Sequence, residues 1–327
     1  QFENVAALLA WNLPLVVGKY ISTQAEGYTY YVEATGSTNY HVTTAFGNRL
    51  RALPRASRWE PEMFAVNGSP GVTNMTAALQ LALNTGRARI NGVYRSMQLV
   101  VNTAVDVEFG GTITRHPNAT TGSFIVFNAD VLIDGRGKLD LNKENTTTGC
   151  HGIRVSAPAL KVGIFNMTIR GAKAVSGWGD GINIGTGQNA SSDIRVAGCT
   201  CEDNDGAGIS GPDIRNGDLF NNRCLRNGGN GILLNNFDQT FTQKIRGTRV
   251  RHNLCSFNVW SGIGVGNYIE DNKISSGVRL YGFNNMEASV IVIEGNTCES
   301  NSVYGLAVAA LRVSVLGNTV RRNGTEG

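Results

Sequence analysis

Between about Val162 and Asn323 the apolar and polar positions repeat one phrase. Short stretches alternate, as in Ile194-Arg195-Val196 and Val313-Ser314-Val315, and lead into Asn-x-Cys, Asn-x-Ile or Asn-x-Val. A second Asn often follows three residues later, and then a Gly with an aliphatic residue. The phrase reads Leu219-x-x-Asn222-x-Cys224-x-x-Asn227 before Gly231-Ile232, and Val250-x-x-Asn253-x-Cys255-x-x-Asn258 before Gly262-Ile263. It continues with Ile269, Asn272 and Ile274 before Gly277-Val278, then Ile293, Asn296, Cys298 and Asn301 before Gly305-Leu306, then Val315, Asn318, Val320 and Asn323. The Gly-aliphatic pairs at Gly152, Gly181, Gly208, Gly231, Gly262, Gly277 and Gly305 lie 29, 27, 23, 31, 15 and 28 residues apart. Such a period with alternating strands, and without a 3.6-residue apolar rhythm, predicts stacked coils of a parallel β-solenoid. The fold class expected is all-β, a right-handed parallel β-helix.

Stacking sets the expected columns. Equivalent positions of neighbouring coils lie one strand spacing apart, about 4.8 Å. The Cys and Ile positions become an inward column, and Asn204, Asn227, Asn258, Asn301 and Asn323 a turn ladder whose amides bond one above another, with Asn itself accepting left-handed backbone geometry. The Gly column marks a turn that a Cβ would obstruct.

Ahead of the coils the pattern changes. Residues 1–57 hold a short apolar helix, then alternating strands at Tyr28 to Glu33 and Tyr40 to Thr44 around Gly36 to Asn39, a small β-hairpin module. Arg51 to Arg58, with Pro54, reads as a linker. Residues 58–98 carry a helix from about Thr76 to Leu83, capped by Thr73 or Asn74, whose apolar face closes the N-terminal end of the solenoid, which occupies residues 99–327.

Composition narrows the class. The chain of 327 residues contains 41 Gly and only 17% charged residues, which suits a turn-dense β body. A net charge of +4 with no basic stripe implies no nucleic-acid partner. Of six Cys, Cys201, Cys224, Cys255 and Cys298 share the inward column, where they read as free core thiols; Cys150 and Cys199 are unassigned. Their spacing matches no zinc motif, no calcium-type Asp cluster is visible, and no cofactor is expected. No apolar run reaches the length of a membrane helix. The chain opens at Gln1 without Met and stops after Asn323 without a capping element, which predicts part of a longer polypeptide.

Phe64-Ala65-Val66, Gly68-Ser69-Pro70-Gly71, Thr73-Asn74-Met75-Thr76-Ala77-Ala78-Leu79-Gln80-Leu81-Ala82-Leu83 and Gly92-Val93-Tyr94 together resemble the entry phrase of the pectate-lyase-like tailspike proteins of bacteriophages. Ser69, Asn74 and Met75 stand where that family usually has acidic residues. The resemblance spans about residues 15–327. It implies a virion-tail, extracellular receptor-binding protein that binds and depolymerises a bacterial surface polysaccharide. It also implies a homotrimer whose N-terminal region meets other tail or baseplate proteins; the apolar N-terminal segment agrees with burial against a partner chain.

Chemistry is expected along one edge. Immediately before the Gly-aliphatic pairs stand His151, Asp180, Ala207, Asn230, Ser261, Ser276 and Tyr304. His151 and Asp180, one coil apart, form a candidate carboxylate-held imidazole. Trp178, Trp260 and Tyr304 fall beside the same edge as candidate sugar platforms, with Asn183 and Asn230 as hydroxyl partners and Tyr281 in a long loop. Glycoside hydrolysis needs two carboxyl groups about 5–5.5 Å or about 6.5–9.5 Å apart; Asp180, Asp205, Asp213 and Asp238 are the candidates. A lyase would need a base and a charge neutraliser, for which Arg154, Lys173 and Arg279 qualify. Asp203, stacked against Arg226, reads as an ion pair. Two other β-helical readings fit less well. Gly179-Asp180-Gly181-Ile182 echoes a polygalacturonase strand whose further Asp residues are missing, and Tyr281-Gly282-Phe283-Asn284-Asn285 echoes an alginate epimerase motif without its Asp, Pro and His. The alternatives left standing are a non-catalytic adhesive β-helix and a secreted lyase or epimerase.

Overall fold

A computed structural model of the chain describes residues 1–120, 122–156, 161–175, 179–185, 191–211, 214–234, 247–266, 291–309 and 313–324. Three long parallel sheets carry the fold. The chain runs through them in turn, once per coil. The first sheet has eight strands, from Leu99–Val101 to Tyr304–Ala309; the second has nine, from Arg87–Ile90 to Val313–Leu316; the third has nine, from Val93–Ser96 to Thr319–Arg321. This is a parallel β-helix.

Alternation within each strand sends one set of side chains inward. The first sheet stacks Leu99, Ile125, Ile153, Ile182, Ile209, Ile232, Ile263 and Leu306 in register. In the third, Ile169 is followed by Cys201, Cys224, Cys255 and Cys298, ending on Val320. All six cysteines are free and buried. The adjoining Cys224 thiol and burial together push the Cys201 thiol well up, so it stays protonated and packs as apolar matter. Cys199 is also fully buried, and its backbone N–H heads an Asn ladder.

Two polar spines run the length of the later coils. Asn227 Oδ1 accepts both the N–H and the Nδ2 of Asn204, while Asn227 Nδ2 donates to Cys201 O (3.1 Å) and Asn258 Oδ1 (2.9 Å). The same bonds continue through Asn301 to Asn323. A second ladder, Asn222, Asn253, Asn296 and Asn318, does this at the corner between the second and third sheets. Every donor and acceptor of an interior rung is used, which is what lets amides lie buried without a desolvation penalty. The ladder Asn residues do not take the left-handed geometry expected of them. It falls on the residue before each: Asp203, Arg226, Phe257, Ser300 and Arg322 on one ladder, Asn221, His252, Gly295 and Gly317 on the other. That preceding residue turns the chain so that the Asn side chain points back beneath the coil.

The Gly column is a close approach, not a φ requirement. A Cβ on Gly208 would lie 2.7 Å from Gly231 O and 3.0 Å from Cys224 Sγ; on Gly231 it would meet Gly262 O at 2.5 Å.

The second and third sheets pair Val250 with Ile293 and Cys255 with Cys298, and the first pairs Ile263 with Leu306. Ile269, Asn272 and Gly277 of the expected repeat lie outside the described residues.

At the N-terminus, helix α1 (Val5–Leu9) is capped by Asn4, whose Oδ1 accepts Ala7 N–H at 2.8 Å. It precedes an antiparallel sheet ordered Tyr20–Ser22, Thr29–Glu33, Arg49–Ala52, Val42–Thr43. Arg51 therefore belongs to a strand, paired to Glu33 at 2.7 Å, and not to a linker. Arg58 ties the next segment to Asp106 of the second sheet at 3.0 Å. Helix α2 (Thr76–Asn84) buries Ala78, Leu79, Ala82 and Leu83, and Leu83 lies over Ile90, Val107 and Phe109 of the first coils. Neither Thr73 nor Asn74 occupies its N-cap. Asn74 bridges to Arg95 as extended chain, which delays the start to Met75, and Asn74 Oδ1 accepts Thr76 N–H instead. Among the described residues no helix is long and apolar enough to cross a membrane.

Candidate functional site

The corners decide where a site can form. Between the second and third sheets the chain turns in two residues, as at Asn221-Asn222 and His252-Asn253. The corners from the first sheet to the second instead carry the long insertions, between Leu234 and Arg249 and between Gly266 and Ile291. The outer face of the first sheet is the wall beside them. Its outward column reads Val126, Arg154, Asn183, Ser210, Leu233, Gly264 and Ala307. At its leading edge stand Ser123, His151, Asp180, Asn230, Ser261 and Tyr304.

Seven of these polar side chains are buried: Ser123, His151, Asp180, Asn183, Ser210, Asn230 and Ser261. That is unusual for the outer face of a solenoid and identifies the candidate site. His151 and Asp180 do meet, but not as expected. His151 Nδ1 accepts the backbone N–H of Asp180 at 3.2 Å, which requires the tautomer with its proton on Nε2. The Asp180 carboxylate oxygen 3.4 Å from Nδ1 therefore faces a lone pair, and the arrangement is not a carboxylate-held imidazolium. Asp180 instead brackets coils. Its Oδ1 accepts Ala207 N–H at 2.8 Å and its Oδ2 accepts Asn183 Nδ2 at 3.0 Å. Asn230 Oδ1 accepts Ser261 N–H at 3.1 Å in the same bridging manner.

Asp205 is drawn away to the coil before it, with Oδ1 3.2 Å from Lys143 Nζ and Oδ2 accepting Ala174 N–H at 3.0 Å. Lys173 donates to Thr146 O and Lys143 O, so its ammonium supports a loop and is not poised to neutralise a substrate. Asp203 forms the expected ion pair with Arg226 at 2.8 Å; the Arg226 guanidinium holds its carboxyl below the ordinary range. Trp260 and Tyr304 are half-buried, and Tyr304 pairs in register with Ser261 on the next coil. Trp178, Asp213, Asp238, Tyr281 and Arg279 lie outside the described residues.

Arg154 emerges as the distinctive group. Its Nε is buried without a hydrogen-bond partner, whereas Arg170, Arg226, Arg251 and Arg321 are paired with Asp or Glu. Ser210, outward and 2% exposed, did not stand out in the sequence. The signal for it was there: Arg154, Asn183 and Ser210 each follow a column Gly by two residues. Among the described residues no three His, Cys, Asp or Glu side chains gather as a metal site would need.

No protein-family model and no curated protein sequence matches the chain. Among solved structures it is similar to full-length tailspike protein 2 from an Escherichia coli O157:H7 bacteriophage, with TM-score 0.57, 14% identity, 97% of this chain and 46% of that one covered. It is similar to the enzymatically active domain of bacteriophage CBA120 tailspike protein 2, with TM-score 0.50, 14% identity, 99% of this chain and 52% of that one covered. It is also similar to the A-module of Azotobacter vinelandii mannuronan C-5 epimerase, with TM-score 0.51, 15% identity, 79% of this chain and 76% of that one covered. The chain spans about half the length of the two tailspike structures. At such identities the likeness is one of architecture: this chain is a parallel β-helix of the kind on which tailspikes and a mannuronan epimerase are built.

Proposed function

We propose that this protein is a tailspike-type receptor-binding protein that grips and depolymerises a bacterial surface polysaccharide along the outer face of its first sheet. The observation that carries the reading is the run of polar side chains there, half-buried Arg154 and buried Asn183 and Ser210 on successive coils, with buried His151, Asp180 and Asn230 at the edge. Coil spacing of about 4.8 Å repeats these groups on the scale of sugar units, so an extended glycan meets several of them at once. Half-buried Trp260 and Tyr304 supply rings beside them. In this reading residues 1–57 serve virion attachment or trimerisation, residues 58–98 are the entry and cap, and the working place is the virion tail.

A second reading, adhesion without cleavage, is favoured by one observation: both Asp180 carboxylate oxygens accept hydrogen bonds within the protein, one from Ala207 N–H of the next coil and one from Asn183 of its own coil. Incubation with a panel of capsules and O-antigens separates the two. The depolymerase reading expects new reducing ends, or ultraviolet-absorbing unsaturated uronates for a lyase, abolished by Asp180→Asn or Asp213→Asn. Binding with no product leaves an adhesin, and no binding to any glycan overturns both.

A further inference from the structure

Resting on the polysaccharide reading, we infer that Arg154 receives an anionic group of the glycan, a sugar carboxylate or phosphate, so that the receptor is an acidic polysaccharide. Arg154 is half-buried with its Nε out of water, and a buried donor left without an acceptor is costly. Arg154 lies on the outer face between Val126 and Asn183 in register, with Ile153 and Val155 turned into the core. Its Nε is buried and unpartnered, and among the described residues no hydrogen bond or ion pair engages the side chain.

The nearest acid by register belongs elsewhere. Asp180 is taken up by Ala207 N–H and Asn183 Nδ2. The column ahead of Arg154 is neutral: Asn183, Ser210, Leu233. Arg95 and Arg115 also bury Nε without a partner, but Arg115 is anchored through its terminal nitrogens to Thr148 and Ala119. Arg95 lies in the third sheet, ahead of the stacked polar run. Arg154 alone of the three combines an unused guanidinium with neighbours suited to sugar hydroxyls. A planar fork at that place matches a carboxylate or phosphate bidentately and discriminates against a neutral glycan.

The test uses the full chain and an array of purified bacterial polysaccharides, acidic and neutral. Whichever acidic polymer binds is then offered carboxyl-reduced and, separately, dephosphorylated. The proposal expects binding to acidic polymers only, lost by one of the two treatments, which names the anion. It also expects Arg154→Gln to weaken binding about 10- to 100-fold, with partial recovery in Arg154→Lys. Carboxyl reduction or dephosphorylation should then cost Arg154→Gln little further. Thermal unfolding of Arg154→Gln should be unchanged or raised, since an unpaired charge is removed; a structural role would lower it. Binding of neutral polymers only, or unaltered binding by Arg154→Gln, overturns the inference while leaving the polysaccharide reading intact. Absence of binding to every polymer overturns both.

Discussion

The early coils, residues 87–155, and the later coils, residues 199–324, share a backbone path but are held by different chemistry. The early coils fill their interior with Tyr94, Phe109, Phe124 and Phe127, all buried. Phe109 is so tightly enclosed that a Cβ on Gly135 or Gly137 would strike its backbone or ring. The later coils have aliphatic and Cys columns inside and two Asn ladders at their corners. Large apolar volume does in one region what fully satisfied amides do in the other. The difference teaches that a solenoid needs only in-register stacking and a satisfied interior, and that either packing or hydrogen bonding can supply the register.

Substitutions can break or sharpen that contrast. The largest effect is expected from Gly208→Val, which drives a side chain into Gly231 O and Cys224; a loss on the order of 5 kcal/mol or failure to fold is expected, read by chemical unfolding. Phe109→Ala should cost about 3–5 kcal/mol through the cavity it leaves. In hydrogen exchange its deprotection should concentrate in the early coils, because a solenoid couples mainly nearest neighbours. Asn227→Ala should cost about 3 kcal/mol, because it strands Asn204, Cys201 O and Asn258, with deprotection confined to the later coils. Equal spread of deprotection for both variants would dissolve the distinction. Cys224→Ala, a smaller deletion in the same region, should cost about 1–2 kcal/mol.

The smallest effect is a pH dependence in the N-terminal sheet. Burial, helped by the Arg51 charge, holds the His41 imidazole below its ordinary value, and its Nδ1 accepts the Ala52 N–H. A histidine lowered in the folded state contributes stability that is complete above about pH 6.5 and declines on acidification through that value. Melting temperature should therefore fall modestly between neutral and mildly acid pH, and His41→Gln should flatten the slope.

Legibility followed the same division. The Cys and Gly columns and the ladder from Asn204 to Asn323 were visible because each is a local spacing repeated in sequence, and stacking turns equal spacing into contact. The early coils announced themselves only as apolar strands, since aromatic packing has no fixed phrase. His151 and Asp180 do lie together, yet their roles as coil brackets depend on the backbone N–H groups of Asp180 and Ala207, which sequence spacing does not rank.

By itself the sequence determined the period, the strand alternation, the inward columns and the amide spine, because these follow from residue type at a repeated interval. Only the tertiary structure decided which corner carries the insertions, which acids are consumed by neighbouring coils and that the Arg154 Nε is buried without a partner. Those outcomes depend on cross-coil register and competing hydrogen bonds, quantities that exist only once the coils are stacked.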